Sequence, residues 1–128
     1  MGETLPLNTL AMVIEDDEKL AFIFTEALKQ AGYSVHTVRD GLEAMQVVDS
    51  MLPILVVLDL HLPHVSGVTI LAHIRSIPAM SESWVVLTTA DPAMAETLRD
   101  QVDFVLIKPI SFIQLRDLAR RLRRMKVE

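Results

Sequence analysis

A chain of 128 residues, of which 51% are hydrophobic and 23% charged, is long enough to bury one core and too short for two domains. It has no cysteine, no secretory signal and no apolar run longer than a strand, which excludes disulfides, thiol chemistry and a membrane span and predicts a cytoplasmic protein. The net charge is −5, and because residues 111–128 are basic, the rest of the chain is acidic and predicts little affinity for nucleic acid.

Five short apolar runs are typical of buried strands. Residues 1–9 show no periodicity and predict a flexible N-terminal lead-in, followed by a single domain over residues 10–126. Each run is too short for a helix and is bounded by turn-forming or charged residues, as between Pro53 and Asp59. The predicted strands are residues 10–14, 34–38, 54–59, 84–89 and 104–107.

Segments with helical spacing separate these strands. Gly32 predicts the end of the first helix, and Asp40 with Glu43 forms a capping pair at the start of the second. Ser111 and Gln114 form a second such pair before the last helix, whose apolar stripe continues to Met125. The predicted helices are residues 20–31, about 40–51, 67–77, about 93–101 and 111–125.

Strands that alternate with helices predict a doubly wound α/β fold, with a five-stranded parallel sheet and five helices on its two faces. The strand order 2-1-3-4-5, which is flavodoxin-like, is common for such sheets. In that order the carboxyl ends of strands 1 and 3 lie side by side, at the point where open α/β sheets bind their ligands. We therefore expect the functional site at this edge of the sheet.

Polar side chains follow four of the five strands at this edge, namely Glu15, Asp16, Asp59, Thr89 and Lys108. Three carboxylates held close together repel one another unless a cation balances them. Mg2+ prefers carboxylate oxygens together with waters and phosphate oxygens, while Lys108 adds positive charge and Thr89 adds a hydroxyl donor. Taken singly, each of these residues also fits an ordinary turn, cap or solvated side chain.

Over residues 10–125 the chain resembles the receiver domain of two-component response regulators. The motifs that carry the resemblance are Glu15-Asp16, Asp59 followed by Pro63 and Gly67, Thr89-Ala90, and Lys108-Pro109. Each motif alone is weak, but all of them occur in the right order and each falls at or just after a predicted strand end. The resemblance implies a signalling switch that catalyses only its own aspartyl phosphorylation and dephosphorylation.

The resemblance also implies a role for each acidic residue of the site. Asp59 would accept a phosphoryl group from a histidine kinase, a histidine phosphotransfer protein or a small acyl phosphate, with Mg2+ as the cofactor. Asp16 and Asp59 would bind Mg2+ directly, Glu15 would bind it through water or as a secondary ligand, and His61 would contribute its backbone carbonyl. Asp17 is the next candidate for a metal ligand.

Lys108 and Thr89 complete the implied site. Lys108 would pair with Asp59 and then with a phosphoryl oxygen, while Thr89 would bind another phosphoryl oxygen and draw its loop inward. That movement would switch a surface for an unknown downstream protein. His61 and Asp91, each two residues beyond a site residue, would modulate the lifetime of the phosphoryl group.

The chain departs from the family's pattern before Lys108. Val105 stands where receivers commonly carry an aromatic residue, and Phe104 cannot replace it because adjacent strand residues face opposite sides. The switch is therefore expected at Thr89 and Val105 without an aromatic side chain. The resemblance also implies a cis peptide bond between Lys108 and Pro109.

Three alternatives compete with this interpretation, and the sequence counts against the first two. A phosphatase with an aspartate nucleophile would carry a second Asp where this chain has His61. A flavodoxin-like cofactor binder would carry a phosphate loop after the first strand, where this chain has the four acids of Glu15–Glu18. A degenerate receiver would act as a scaffold that is not phosphorylated, although all five site residues are present. The domain would be either a stand-alone protein or part of a larger regulator or hybrid kinase.

Overall fold

The strands and helices follow the predicted alternation. The structure, a computed structural model, describes residues 8–127, so residues 1–7 of the predicted lead-in lie outside it. Its strands are β1 (Leu10–Ile14), β2 (Ser34–Val38), β3 (Leu55–Asp59), β4 (Trp84–Thr89) and β5 (Phe104–Ile107). Its helices are α1 (Glu18–Gln30), α2 (Gly41–Met51), α3 (Gly67–Ser76), α4 (Pro92–Glu96) and α5 (Phe112–Val127), with 3-10 turns at Pro78–Met80 and Arg99–Gln101. In this part of the chain no helix combines the length and apolarity needed to cross a bilayer.

The five strands form one parallel sheet in the order β2-β1-β3-β4-β5, which confirms the predicted fold class. Ile14 at the end of β1 lies opposite Val38 on β2 and opposite Leu58 on β3. Asp59 at the end of β3 lies opposite Thr88 on β4. The residues that follow β1 therefore lie beside the carboxyl end of β3.

Helices cover both faces of the sheet, and each face has its own apolar core. Met12 and Ile14 of β1 belong to the core shared with α2, α3 and α4. Ala11 and Val13 alternate with them and belong to the core shared with α1 and α5. Every residue of β3 is buried, which explains why this strand reads as a continuous apolar run up to Asp59.

Side-chain caps begin the helices, as predicted for α2 and α5. Asp40 and Ser111 each accept a hydrogen bond of 3.0 Å from a backbone amide in the first turn of their helix. Asp17 does the same for α1, at 2.9 Å. Gly32 follows the end of α1 with a φ of +102°, the left-handed conformation that glycine adopts without strain.

Gly67 allows α3 to begin directly against the end of β3. A Cβ atom at this position would lie 2.5 Å from the Asp59 carbonyl oxygen and 2.7 Å from the Cα atom of Leu60. Ser66 caps the helix through its hydroxyl, which accepts from the Thr69 amide at 3.3 Å. A residue without a Cβ atom is therefore required where α3 packs against the end of β3, which explains the glycine eight residues after Asp59.

The fourth helix is shorter than predicted, since α4 covers Pro92–Glu96 rather than about residues 93–101. The Thr97 hydroxyl donates to the Met94 carbonyl at 2.6 Å, a local bond that competes with continuation of the helix. Leu98 leaves the helical conformation with a ψ of 4°. Only a 3-10 turn follows before β5.

The last helix buries the predicted stripe Leu115, Leu118, Ala119 and Leu122, but Met125 is 59% exposed, contrary to expectation. Sixteen residues of α-helix extend about 24 Å, whereas a five-residue strand extends about 17 Å. Met125, in the last turn of α5, accordingly lines a surface cleft with Trp84 and Asp103 at the amino edge of the sheet.

The amino edge of the sheet carries an aromatic pair. The rings of Trp84, at the start of β4, and Phe104, at the start of β5, lie 6.4 Å apart with an interplanar angle of 52°. Asp103, which precedes β5, accepts a hydrogen bond from the Val85 amide at 2.8 Å and pairs with Arg75 of α3 at 3.2 Å. These contacts fix β5 at the end opposite Lys108.

Candidate functional site

Three carboxylates meet at the carboxyl edge of the sheet. Oxygen atoms of Glu15, Asp16 and Asp59 all lie within 4.8 Å of one another. The pairing of β1 with β3 causes this proximity, because Glu15 directly follows Ile14 and Asp59 directly follows Leu58. Glu15 and Asp59 are buried, with 1% and 2% of their surfaces exposed, while Asp16 is half-buried. The structure thus brings together the three acids that the sequence placed at this edge.

Lys108, which follows β5, bridges two of the three carboxylates. Its Nζ atom lies 3.1 Å from Oε1 of Glu15 and 3.4 Å from Oδ1 of Asp59. The sequence predicted the pairing with Asp59, and the shorter contact with Glu15 is an addition. The peptide bond between Lys108 and Pro109 is cis, as predicted.

Burial and charge shift the pKa values of this pair. Burial, reinforced by the negative charge of Asp59, raises the pKa of Glu15 to about 7 against the opposing effect of Lys108. Burial by itself would lower the pKa of Lys108, but the hydrogen bond and charge of Glu15 and the charge of Asp59 raise it above its usual value. Lys108 therefore remains a cation, and the carboxylates compete for it.

Thr89, His61 and Asp91 lie at the same edge of the sheet as the acidic cluster, at or just after the ends of β3 and β4. The His61 amide donates to Oδ1 of Asp59 at 3.2 Å, so that Lys108 and His61 are directed at the same oxygen. The Thr89 hydroxyl is fully buried and accepts from the Asp91 amide at 3.0 Å. The Asp91 carboxylate accepts from the Met94 amide at 3.1 Å and caps α4.

Two other candidates lie outside the immediate site. The Asp17 carboxylate serves as the cap of α1, and Asp17 is not part of the carboxylate cluster found among residues 8–127. Val105 is half-buried and packs against the core that includes Ala95 and Leu98, so it contacts the face covered by α4. An aliphatic side chain thus stands at the expected switch position, and it packs in the core rather than in the acidic cluster.

Arg39 is a site neighbour that sequence reasoning missed. It follows β2, and its Nε and Nη2 atoms lie 3.3 and 2.9 Å from the backbone oxygen of Asp16. An exposed arginine between a strand and a helix cap carries no distinctive pattern. The one signal in the sequence was that Arg39 directly follows β2, which pairs with β1, and so lies at the carboxyl edge of the sheet.

The donor set fits a hard divalent cation. Three carboxylates supply oxygen ligands only, and Mg2+ is typically bound by one or two carboxylates with water and phosphate oxygens completing an octahedron. Burial is the main cause of the raised pKa of Glu15, and the negative charge of Asp59, the second cause, is one that a bound cation would offset. The cluster is therefore suited to a metal site next to the buried Asp59.

A parallel five-stranded sheet in this order, with an acidic cluster and a lysine at its carboxyl edge, defines the class of signal receiver domains. Residues 11–120 match the model of the family described as response regulator receiver domain. The chain therefore belongs to the response regulator receiver domain family.

Individual relatives agree with this assignment. The chain is 33% identical over 100 residues to the uncharacterized transcriptional regulatory protein YrkP of Bacillus subtilis. The alignment covers 78% of this chain and 43% of YrkP. Among solved structures, the signal receiver domain of a protein described as a LuxO repressor from Vibrio parahaemolyticus aligns with a TM-score of 0.81 at 27% identity, over 94% of this chain and 95% of that one.

The receiver domain of sensor histidine kinase PA1611 from Pseudomonas aeruginosa shares the fold, with a TM-score of 0.79 at 20% identity over 90% of this chain and 97% of that one. That crystal structure holds a magnesium ion in its active site cleft. The present chain spans less than half the length of YrkP, a protein named as a transcriptional regulator. The expectation of little nucleic-acid affinity consequently has no support from the relatives.

Proposed function

We propose that this chain is the phosphoacceptor receiver of a two-component phosphorelay. Asp59 accepts a phosphoryl group from a histidine kinase or a histidine phosphotransfer protein, and the phosphorylated domain presents an altered surface to a downstream protein. The observation that carries the proposal is the cluster of Glu15, Asp16 and Asp59, with Lys108 bridging two of its carboxylates. Membership of the receiver family supports the same role.

Asp16 and Asp59 would hold Mg2+ directly, with Glu15 as a secondary or water-mediated ligand and the His61 backbone carbonyl as a further oxygen. When bound, the ion supplies positive charge to the oxygens of the transferring phosphoryl group. Lys108 adds a second positive charge from the carboxyl end of β5, at 3.4 Å from Asp59. Both charges lie where negative charge develops, which is the requirement for electrostatic stabilisation of the transition state.

Asp59 is the nucleophile in this mechanism. One carboxylate oxygen forms a bond to phosphorus while the bond from phosphorus to the donor nitrogen or acyl oxygen breaks, and the electron pair of the broken bond leaves with the donor. Lys108 and the His61 amide both hold Oδ1, which leaves Oδ2 as the attacking oxygen. Burial of Asp59 excludes bulk water that would otherwise compete for phosphorus.

Transfer changes the partners of Lys108 and Thr89. The new phosphoryl oxygens attract the ammonium group of Lys108 away from Glu15. The Thr89 hydroxyl, which accepts from the Asp91 amide before transfer, donates to another phosphoryl oxygen afterwards. Because Asp91 caps α4, this change also moves the start of that helix, next to Val105. Water later attacks the acyl phosphate and restores the Asp59 carboxylate.

The cytoplasm is the proposed location, because phosphoryl donors derived from ATP are available there. The alternative of a scaffold that is not phosphorylated has no specific support, since Asp59, Lys108 and Thr89 are all present and buried or half-buried at one edge. The scaffold becomes the preferred function only if the protein proves unable to form a phosphoryl adduct at Asp59.

The test is to incubate the protein with acetyl phosphate and Mg2+ and to analyse it by intact-mass spectrometry. We expect one phosphoryl adduct per chain that is labile in base, that does not form when EDTA is present from the start and that is absent in Asp59→Asn. Asp100→Asn, which removes an exposed aspartate outside the cluster, serves as the matched control and should be phosphorylated normally. An adduct that persists in Asp59→Asn would contradict the proposal.

A further inference from the structure

Arg39 contacts the turn that carries the acidic residues of the site. Its Nη2 and Nε atoms lie 2.9 and 3.3 Å from the backbone oxygen of Asp16, so two donors of one guanidinium converge on one acceptor. The parallel pairing of β1 with β2 brings the two segments together, since Ile14 lies opposite Val38 and the Glu15 amide donates to the Val38 carbonyl at 3.0 Å.

The backbone amide and carbonyl of Asp17 form hydrogen bonds with nearby residues of the same segment. The Asp17 amide donates to Oε2 of Glu15 at 3.2 Å, and the Asp17 carbonyl accepts from the Ala21 amide at 2.8 Å. Within residues 8–127, the hydrogen bonds to the Asp16 carbonyl come from Arg39. The peptide group between Asp16 and Asp17 is therefore held from two sides, by Glu15 at the Asp17 amide and by Arg39 at the Asp16 carbonyl, and Arg39 ties it to the segment that follows β2.

We propose that Arg39 is a positioning residue for the metal site. It does not touch the ion, but it holds the backbone of Asp16 so that the Asp16 carboxylate meets Glu15 and Asp59. The inference rests on the proposed function, because it assigns Arg39 to the same Mg2+ site. Residues that orient metal ligands typically contribute about 10- to 100-fold to metal affinity.

Geometry, rather than charge, is the main contribution expected from Arg39. Its side chain is exposed, and an exposed charge near an acidic turn is screened by salt and contributes little. The planar guanidinium, in contrast, can present two donors to one oxygen, which a lysine ammonium on a flexible stem does not reproduce. Arg39→Lys keeps the charge and loses this fork, whereas Arg39→Met removes both.

The experiment measures Mg2+ binding by isothermal titration calorimetry without any phosphoryl donor. We expect the dissociation constant of Arg39→Met to rise about tenfold, near the lower limit for an orienting residue because the contact is exposed. Arg39→Lys should recover only a minor part of this loss. The defect should persist at high KCl, because it arises from the position of Asp16 and not from screened charge.

The matched control is Arg121→Met, which removes the same charge from the exposed face of α5. Arg121 lies nine residues into α5, about 14 Å along the helix from its first residue, and should bind Mg2+ like the wild type. Amide hydrogen exchange of residues 15–17 in metal-free protein provides a second readout and should accelerate in both Arg39 variants but not in the control.

Each outcome bears on a different claim. Wild-type protein that does not bind Mg2+ would overturn the proposed metal site itself. Wild-type binding with an unchanged dissociation constant in Arg39→Met would overturn the role of Arg39 and leave the proposed function intact. Full recovery by Arg39→Lys, or loss of the defect at high KCl, would show that Arg39 acts through charge and would likewise overturn the positioning role.

Discussion

The Nζ atom of Lys108 lies 3.1 Å from Oε1 of Glu15, closer than its 3.4 Å distance from the proposed phosphoacceptor Asp59. The lysine is thus held by a carboxylate that does not itself receive the phosphoryl group. We therefore propose two roles for Glu15, as a metal ligand and as the partner that keeps Lys108 at the site before transfer. A substitution that removes the charge of Glu15 therefore distinguishes its role from the roles of its acidic neighbours.

Glu15→Gln should weaken Mg2+ binding about tenfold, because it removes one carboxylate from the cluster and releases Lys108 toward Asp59. Calorimetric titration of metal-free protein with MgCl2 measures the effect. Glu18→Gln removes an equal charge from the exposed first turn of α1 and is the control. Equal weakening in both variants would mean that the turn acts only through its overall negative charge.

Gly67→Ala should destabilise the domain by about 1–3 kcal/mol, because the new Cβ atom meets the Asp59 carbonyl oxygen at 2.5 Å and the backbone must shift. The shift displaces Asp59 itself, so the rate of phosphorylation by acetyl phosphate should fall as well. Ala72→Gly, on the exposed side of the same helix, should cost about 1 kcal/mol through helix propensity and leave the rate unchanged. A normal rate in folded Gly67→Ala would refute the link between this corner and the site.

Asp91 can be tested with two substitutions that separate its roles. Asp91→Asn keeps the cap of α4, since asparagine caps as well as aspartate, whereas Asp91→Ala loses it at a cost of about 1 kcal/mol. Both remove a carboxylate two residues beyond Thr89. If Asp91 modulates the lifetime of the phosphoryl group as a proton acceptor for the attacking water, dephosphorylation of the adduct should slow at least about tenfold in both variants. If only Asp91→Ala slows it, the effect belongs to the cap.

Tyr33 provides a pH-dependent test of the α5 contact, because it is the one tyrosine of the chain. Burial raises its pKa to about 12, against the opposing charge of Arg123, and its hydroxyl donates to the Ala119 carbonyl at 2.9 Å. An unfolded tyrosine titrates near pH 10. Its contribution to stability is therefore complete below about pH 10 and is lost as the pH rises through about 12.

Ultraviolet absorbance of the phenolate should consequently show one transition near pH 12 in folded protein and near pH 10 in urea. In Tyr33→Phe the absorbance transition is absent, and the stability measured by urea unfolding should fall less steeply above pH 10 than in the wild type. At neutral pH this variant should lose about 1 kcal/mol with the hydrogen bond to Ala119. A transition near pH 10 in folded protein would contradict the buried contact.

The sequence was sufficient to predict the sheet and the acidic edge, because buried parallel strands are continuous apolar runs that end in a polar residue. Asp59 and Lys108 were found in this way. The end of α4 was predicted wrongly, since the backbone leaves the helical conformation at Leu98, next to the local bond of Thr97. Arg39 and the shorter Lys108 to Glu15 contact depend on distances between segments remote in the chain, for which residue spacing contains no signal.

The aromatic pair at the amino edge has a practical consequence. Trp84 is the only tryptophan of the chain, and it begins the strand whose last residue, Thr89, faces the site. They are five positions apart along β4, which corresponds to about 17 Å. Trp84 fluorescence therefore follows unfolding of the core but should remain silent when Mg2+ or a phosphoryl group binds at Asp59. Trp84 fluorescence can thus report folding while calorimetry independently reports the binding of Mg2+ at the site.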